Sequence, residues 1–172
     1  MEYFEFHNEI PINTLNTWKS QIDSSTLFKF EGWTGLPREP YRHWAAYPDV
    51  EGVYKEIFVC LNESIKDIGL NLKPERLVVN YYNHGDSSWL HEDCTEKNYW
   101  TVLLFANPYW NINWGGDFIL VEKDDIVKAF WPKPGLFIVF KSHYLHGARP
   151  VSREAEYPRL GLAFQCVNQL KT

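Results

Sequence analysis

The spacing of apolar residues predicts two amphipathic helices in the first part of the chain. Asn13 can cap a short helix, and the apolar residues that follow recur at helical intervals: Leu15, Trp18 and Ile22. A longer helix is expected to take Asp49 as its N-cap and to end at Gly69. Its apolar positions follow a 3.6-residue period, which is typical of a helix packed on a core: Val53, Tyr54, Ile57, Phe58, Leu61, Ile65 and Ile68.

From residue 76 the pattern changes to short β-rich runs separated by turn residues. Aromatic and β-branched residues dominate the runs, and Gly, Pro, Asn and Asp lie between them. The predicted strands are Leu77–Tyr82, Tyr99–Ala106, Asp117–Val121, Leu136–Phe140 and Leu160–Val167. Helices followed by many short strands favour an α+β fold, mainly β with flanking helices. Its core would be a double-stranded β-helix, the jelly roll that also builds cupins.

Length and composition are those of one globular domain. The chain has 172 residues with no repeat and no linker, so we expect a single domain over residues 1–172. Its helical N-terminal part would span about 1–70 and its jelly-roll core about 71–170. Aromatic residues make up 17%, including eight Trp. Such a share of large rings suits a packed β structure and also a lined pocket.

Charge and cysteine content restrict the partners and the compartment. The formal net charge is −5 and no Lys/Arg cluster stands out, which argues against a nucleic-acid partner. The cysteines Cys60, Cys94 and Cys166 are odd in number and far apart, which favours a reducing compartment over a disulfide framework. The first ten residues are acidic and lack a long apolar run. We therefore expect a cytoplasmic protein without a membrane partner.

The segment "WLHEDCTEKNYW" places His91 and Asp93 two positions apart, after a predicted strand. If the segment is extended, both side chains lie on one face, with Glu92 turned away. His146, just beyond the strand Leu136–Phe140, can supply a third ligand, and His143 is the alternative. Two His and one carboxylate leave coordination positions open, which is the arrangement of non-heme Fe(II) oxygenases. A closed four-ligand zinc site would not leave this room.

A cation near the end of the chain suits a dicarboxylate co-substrate. In "EYPRLGLAFQC", Arg159 begins the last strand, and its planar guanidinium can bind a carboxylate bidentately. Arg159, Gly161 and Ala163 share one face, where the two small residues leave space for a ligand. The alternating residues, Leu160, Leu162 and Phe164, would fill the opposite side. Arg149 and Arg153 are the alternative cations.

Four segments resemble the 2-oxoglutarate/Fe(II)-dependent dioxygenase superfamily, most closely its prolyl-4-hydroxylase-like branch. They are "VVNYYNHGDSSWLHED", "NYWTVLLFANPYWNINWGGDFIL", "PKPGLFIVFKSHYLHGARPVS" and "PRLGLAFQ", in the family's order between about Arg76 and Val167. The resemblance implies three iron ligands, His91, Asp93 and His146. It also implies that Arg159 pairs with the distal carboxylate of 2-oxoglutarate.

The resemblance extends to the surroundings of the co-substrate. Tyr82 lies where the family often has a Tyr facing 2-oxoglutarate, and Tyr81 could take its place. Thr101 is expected to hydrogen-bond the co-substrate, while Phe105 stands where a second Tyr is often found. The cofactors implied are Fe(II), 2-oxoglutarate and O2. The reaction implied is hydroxylation of an unactivated C–H, on a prolyl residue of a peptide or on a small amino-acid-like metabolite, with succinate as co-product.

Two other hypotheses remain open at this point. The chain could be a Trp-rich jelly-roll binding module for sugars or peptides, or a cupin-like metalloenzyme that ignores 2-oxoglutarate. Aromatic residues of two loops could form a substrate lid or could cover the ends of the sheets. One loop carries Tyr109, Trp110 and Trp114, and the other Trp33, Tyr41, Arg42 and Trp44.

Overall fold

A computed structural model describes residues 1–32 and 42–169 of the chain. In chain order the elements are β1 (Tyr3–Phe6), α1 (Ile12–Ser25), β2 (Lys29–Gly32), β3 (Arg42–Ala46), α2 (Val53–Asp67), β4 (Leu72–Tyr82), β5 (Tyr99–Phe105), a 3-10 helix (Ile112–Trp114), β6 (Phe118–Glu122), β7 (Asp125–Phe130), β8 (Phe137–Lys141), β9 (Leu145–Ala148) and β10 (Arg159–Asn168). No helix in the described ranges is long and apolar enough to cross a membrane.

The strands form two antiparallel sheets. The large sheet has the order β1-β8-β5-β10-β4-β3-β2, and the small sheet has the order β7-β6-β9. Neighbours in the large sheet are often distant in sequence, as in the pairs β1–β8 and β10–β4. The predicted fold class, mainly β with flanking helices around a jelly-roll core, is confirmed.

The helices cover the outer face of the large sheet. Side chains from both helices and from β4 and β10 form one buried apolar cluster, which includes Trp18, Ile22, Ile57, Leu61, Leu77, Val79, Leu160, Leu162 and Phe164. The indole N–H of Trp18 donates to Glu56 across the two helices, 3.0 Å away. The apolar face predicted for the last strand therefore packs on the helices, and its opposite face is left for a ligand.

The helix starts differ from the prediction. α1 takes Pro11 as its N-cap, one residue before Ile12, so Asn13 lies inside the first turn. Proline suits this place because its φ is preset and it has no N–H to leave unpaired. α2 takes Gly52 as its N-cap, with φ 53°, because the carbonyl of Asp49 is already engaged by a local turn. The predicted end of α2 is confirmed, since Gly69 follows it with φ 81°.

The sequence pattern missed five strands. The five predicted strands correspond to β4, β5, β6, β8 and β10, whereas β1, β2, β3, β7 and β9 were not foreseen. The part before residue 71 is therefore not only helical, because β1, β2 and β3 join the large sheet. His146 does not simply follow the end of β8: it lies within β9, in the other sheet. A four-residue strand is too short to show an alternating pattern.

Candidate active site

A cavity of about 300 Å³ lies between the two sheets. Its wall on the large sheet comes from inward-facing residues of β3, β4, β5, β8 and β10, and its wall on the small sheet from β6 and β9. Along β10 the lining residues alternate as predicted: Arg159, Gly161, Ala163 and, one step further, Gln165. Polar groups thus converge in a compact space between otherwise apolar layers, as in many ligand sites.

Three predicted ligands meet in this cavity. The ligand atoms of His91, Asp93 and His146 all lie within 4.8 Å of one another. Nε2 of His146 is 3.5 Å from Asp93 Oδ2, and Nε2 of His91 is 3.8 Å from Asp93 Oδ1. The structure therefore brings together the residues that the spacing and the resemblance had singled out.

Backbone hydrogen bonds hold the ligand-bearing segments in place. His91 and His146 face each other in an antiparallel bridge, with reciprocal N–H···O bonds of 2.9 and 3.0 Å. The N–H of Asp93 donates to the carbonyl of Ser142, 2.9 Å away. Gly147 lets the chain pass closely, since a Cβ there would lie 3.0 Å from the Trp89 carbonyl oxygen. The loop before β5 is thereby fixed against β9.

The imidazoles present the nitrogen that a metal needs. Nδ1 of His91 lies 2.8 Å from the Trp89 carbonyl oxygen, and Nδ1 of His146 lies 2.7 Å from that of Tyr144. A carbonyl can only accept, so each Nδ1 carries the proton and each Nε2 keeps its lone pair. Both Nε2 atoms face Asp93. This donor set of two neutral imidazoles and one carboxylate fits Fe(II).

The pKa values favour the same protonation states. Burial lowers the pKa of His91, and the neighbouring His146 lowers it further, against the opposite effects of the Trp89 carbonyl and Asp93. Burial acts to raise the pKa of Asp93, but the neighbouring His146 imidazole and the hydrogen bond from Thr101 outweigh it and hold the value at about 2. The carboxylate is therefore charged, and His91 neutral, near pH 7.

Two side chains orient the Asp93 carboxylate. The Thr101 hydroxyl donates to Oδ2 at 2.6 Å and also contacts the Ser142 hydroxyl at 2.9 Å. The Gln165 amide donates to Oδ1 at 3.0 Å. The Thr101 hydroxyl thus donates its hydrogen bond to Asp93. The expected hydrogen bond between Thr101 and the co-substrate stays a prediction. The sequence reading missed Gln165, although it shares the inward face of Arg159, Gly161 and Ala163.

Thr101→Val is expected to weaken metal binding by about 10- to 100-fold, the usual effect of losing a partner that orients a metal ligand. Valine keeps the shape of threonine but cannot donate to Asp93 Oδ2. Competition with a chelator of known Fe(II) affinity measures the change. The control is Thr17→Val, because Thr17 is exposed on α1 and its hydroxyl bonds only a helix carbonyl. Equal affinity in Thr101→Val and wild type would refute this role.

A buried arginine lies at the closed end of the cavity. Arg159 is 2% exposed, and its Nε and Nη1 atoms have no hydrogen-bond partner within residues 1–32 and 42–169. The guanidinium lies 4.8 Å from the Tyr82 ring and 5.1 Å from the Phe105 ring. Burial lowers its pKa, although Tyr82 and Asp117 act to raise it. A charged fork with unpaired N–H groups in an apolar setting is suited to bind an anionic group.

Gly116 makes room for this arginine. It has φ 75°, and a Cβ there would lie 3.2 Å from Arg159 Cδ. The turn at Gly115 and Gly116 therefore leaves space for the side chain that would bind the co-substrate.

The alternative residues lie elsewhere. His143 is in the turn between β8 and β9, with its ring against Tyr144 at 4.9 Å, and is not part of the three-residue cluster. Arg149 and Arg153 are exposed and do not line the cavity. The hydroxyl of Tyr81 bonds to Asp23 on α1, so that side chain faces the helices.

The side chain of Tyr82 lines the cavity. The family resemblance implies that a Tyr at this position faces 2-oxoglutarate. Tyr82 is 5% exposed and lines the cavity between Arg159 and His43. Its ring stacks on the imidazole of His43, with centroids 4.8 Å apart and planes at 19°. A lone His in a segment without periodicity carries no signal, so His43 could not be assigned from the sequence.

His43 is expected to make stability depend on pH. Burial lowers its pKa to about 4 from the ordinary 6.5, against smaller opposing effects of Asp86 and Asn80. The unfolded chain therefore takes up the proton first. The resulting contribution of His43 to the free energy of unfolding is complete above pH 6.5 and falls as the pH drops towards 4. It is worth on the order of 2–3 kcal/mol.

Urea unfolding at pH 7 and pH 4.5 tests this effect of His43. The difference in free energy of unfolding between the two pH values should be smaller in His43→Gln than in wild type, because glutamine does not titrate. An unchanged difference would contradict the assignment. His84→Gln is the matched control, since His84 is exposed on the surface and belongs to no ion pair among the described residues.

The aromatic residues of the described loops cover an end of the sheets. Trp110 and Trp114 are 2% and 5% exposed and pack edge to face, and neither lines the cavity. Tyr109 packs edge-on against Trp114 from the surface. Trp44 is half exposed on β3 and packs against Phe30. The suggested lid residues Trp33 and Tyr41, and the side chain of Arg42, lie outside the described residues.

Comparison with known proteins agrees with the site. A sequence profile of the 2OG-Fe(II) oxygenase superfamily matches residues 77–164. Among solved structures, a Pseudomonas putida prolyl-4-hydroxylase superposes with a TM-score of 0.73 at 16% identity, covering 97% of this chain and 92% of that one. A Trichoplax adhaerens prolyl hydroxylase, solved with a hypoxia inducible factor peptide fragment, gives 0.74 at 16% identity over 96% and 83%.

Related folds also serve a different reaction. The non-heme α-ketoglutarate-dependent epimerase SnoN from nogalamycin biosynthesis gives a TM-score of 0.73 at 9% identity, covering 96% of this chain and 78% of that one. At these identities the likeness concerns the fold alone. No curated protein matches the chain by sequence.

A two-sheet jelly roll that holds two histidines, an aspartate and a buried arginine around one cavity defines a class of non-heme iron enzymes. The chain belongs to the 2OG-Fe(II) oxygenase superfamily. It is accordingly a 2-oxoglutarate- and Fe(II)-dependent dioxygenase that uses O2.

Proposed function

We propose that His91, Asp93 and His146 hold Fe(II) and that Arg159 binds the distal carboxylate of 2-oxoglutarate. The three ligand atoms lie within 4.8 Å of one another, which suits a single ion. When bound, the iron activates O2 so that 2-oxoglutarate decarboxylates to succinate and an unactivated C–H of the primary substrate becomes hydroxylated. Tyr82 and Phe105 flank Arg159 and exclude water from its guanidinium.

One observation carries this proposal: the guanidinium of Arg159, whose Nε and Nη1 atoms have no hydrogen-bond partner among the described residues, lines the same cavity as the three-residue cluster. A cupin-like metal site that ignores 2-oxoglutarate would have no use for a buried charge without a counterion. Leaving such a charge unpaired costs free energy, so an anion that binds there gains from satisfying it. The five-carbon dicarboxylate has a carboxylate at each end, and its second carboxylate can meet Arg159 while the first end faces the metal ligands.

The proposed primary substrate is a prolyl residue of a peptide or a small amino-acid-like metabolite. Two prolyl hydroxylases among the similar structures support the first, since one of them was solved with a peptide fragment. The cavity of about 300 Å³, at the small end of ligand sites, supports the second. Hydroxylation rather than epimerisation is the reaction we propose for either substrate.

An anaerobic titration tests the proposed site. Purified metal-free protein receives Fe(II) and then 2-oxoglutarate, and the weak visible metal-to-ligand charge-transfer band is followed. We expect the band only when both are present. Folded protein that binds no metal would overturn the proposal in favour of a binding module. Iron binding without a response to 2-oxoglutarate would favour the cupin-like alternative.

A further inference from the structure

A second arginine lies at the other end of the inward face of β4. Arg76, Val78, Asn80 and Tyr82 line the cavity in alternation along this strand. In the β4–β10 pair, Tyr82 is opposite Arg159 and Arg76 is opposite Gln165. Arg76 and Tyr82 are six positions apart on β4, which amounts to about 20 Å along an extended strand. The cavity therefore has one guanidinium at its closed end and another at its mouth.

Arg76 is on the metal side of the cavity. Its partner in the register, Gln165, donates to Asp93 Oδ1 at 3.0 Å. The pairing of the two strands shifts between Gln165 and Cys166, which leaves Glu75 without a register partner. Such a bulge bends the strand and redirects side chains, and bulges are frequent beside active sites. A group bound by Arg76 would thus be close to the proposed iron, away from Arg159.

The side chain of Arg76 is exposed at the mouth of the cavity. It lies over the ring of Tyr47, 5.2 Å from the centroid, and both residues line the cavity. No carboxylate in the described part of the chain forms an ion pair with it. Stacking on an aromatic face leaves the planar N–H fork available for a bidentate anion.

We propose that Arg76 binds the free carboxylate of the primary substrate, which would be a small carboxylic acid such as a free amino acid. The inference rests on the proposed function. The cavity of about 300 Å³ must hold 2-oxoglutarate as well, so the remaining space suits a compact molecule. An internal residue of a peptide carries no free carboxylate to meet Arg76. The chemistry at the mouth therefore favours the metabolite over the peptide.

Matched acids and amides test this inference on anaerobic protein loaded with Fe(II) and 2-oxoglutarate. The twenty free L-amino acids, their carboxamides and a proline peptide blocked at both ends are added separately. Binding is read from the shift of the charge-transfer band, and turnover from succinate formation after O2 is admitted. We expect at least one free acid to shift the band, and its carboxamide to bind about tenfold more weakly or worse, because the carboxamide loses a charge-assisted pair.

Arg76→Gln should remove the preference for the acid over the amide and weaken binding of the acid by about tenfold or more. The band formed by Fe(II) and 2-oxoglutarate alone should be unchanged, which shows that the variant is folded and its metal site intact. Arg153→Gln is the matched control, since Arg153 is exposed and does not line the cavity.

Several outcomes would overturn the role of Arg76. They are no band shift with any free acid, equal binding of acid and amide, or wild-type affinity in Arg76→Gln. A band shift with the blocked peptide and with no free acid would show that the mouth of the cavity binds a peptide instead. Failure of the proposed function is distinguishable, because the band would then be missing before any amino acid is added.

Discussion

Asp93→Ala is expected to weaken Fe(II) binding by more than about 100-fold, beyond the loss typical of residues that only orient a ligand. Asp93 is the one carboxylate in the His91–Asp93–His146 cluster, and its pKa of about 2 keeps it charged at neutral pH. Without it, two neutral imidazoles face a divalent cation with no counter-charge. The charge-transfer band and succinate formation should both disappear.

Folding has to be separated from metal binding in this experiment. Asp93 is mostly buried and accepts hydrogen bonds from Thr101 and Gln165, so alanine leaves two donors unpaired at about 1–3 kcal/mol each. Asp93→Asn keeps the shape of the side chain and removes the charge. Both variants should lose the metal, whereas Glu96→Ala, an exposed change on the same loop, should not. Wild-type affinity in Asp93→Asn would refute the assignment.

Arg159→Met is expected to weaken 2-oxoglutarate binding by about 30-fold to several thousand-fold, the range for removing one partner of a buried charge pair. Methionine fills much of the space beside Tyr82 and Phe105 but offers no donor. Fe(II) binding alone should be unchanged, since Arg159 is not in the metal cluster. Titration of 2-oxoglutarate into the Fe(II)-loaded variant, followed by the charge-transfer band, measures the loss.

The same change should act differently on the protein without ligands. Arg159 is buried, and two of its nitrogens have no hydrogen-bond partner in the part of the chain that the structure describes, so replacing it with an apolar side chain should leave the free energy of unfolding unchanged or raise it. Urea unfolding of the ligand-free variant checks this. Arg149→Met, at an exposed site, is the control for both measurements. Wild-type affinity for 2-oxoglutarate in Arg159→Met would contradict the proposed role.

The sequence predicted the parts of the site that depend on local order. His91 and Asp93 stand two residues apart after a strand, and Arg159 begins a strand whose small residues leave space, so both signals lie within short windows. The three longest strands, β4, β5 and β10, were predicted for the same reason, because a run of strand-forming residues over seven or more positions is visible in one segment. The family resemblance added the order of these segments along the chain.

Features that depend on pairing between distant segments could not be predicted. The bridge between His91 and His146 joins the loop after β4 to β9 of the small sheet, and β9 was missed because its four residues show no period. Gln165 was missed because its contact with Asp93 crosses strands. The starts of both helices were misread because the backbone of Pro11 and Gly52, rather than a side-chain cap, begins them.

The pairing of His91 with His146 also has a mechanical meaning. One histidine belongs to a loop that leaves the large sheet and the other to a strand of the small sheet. An ion bound by both histidines, as proposed, would act as a reversible cross-link that closes a long loop of the chain, as a disulfide would in an oxidising compartment. The rigidity of the jelly roll would then depend on the iron concentration. A protein without iron would be both inactive and less rigid.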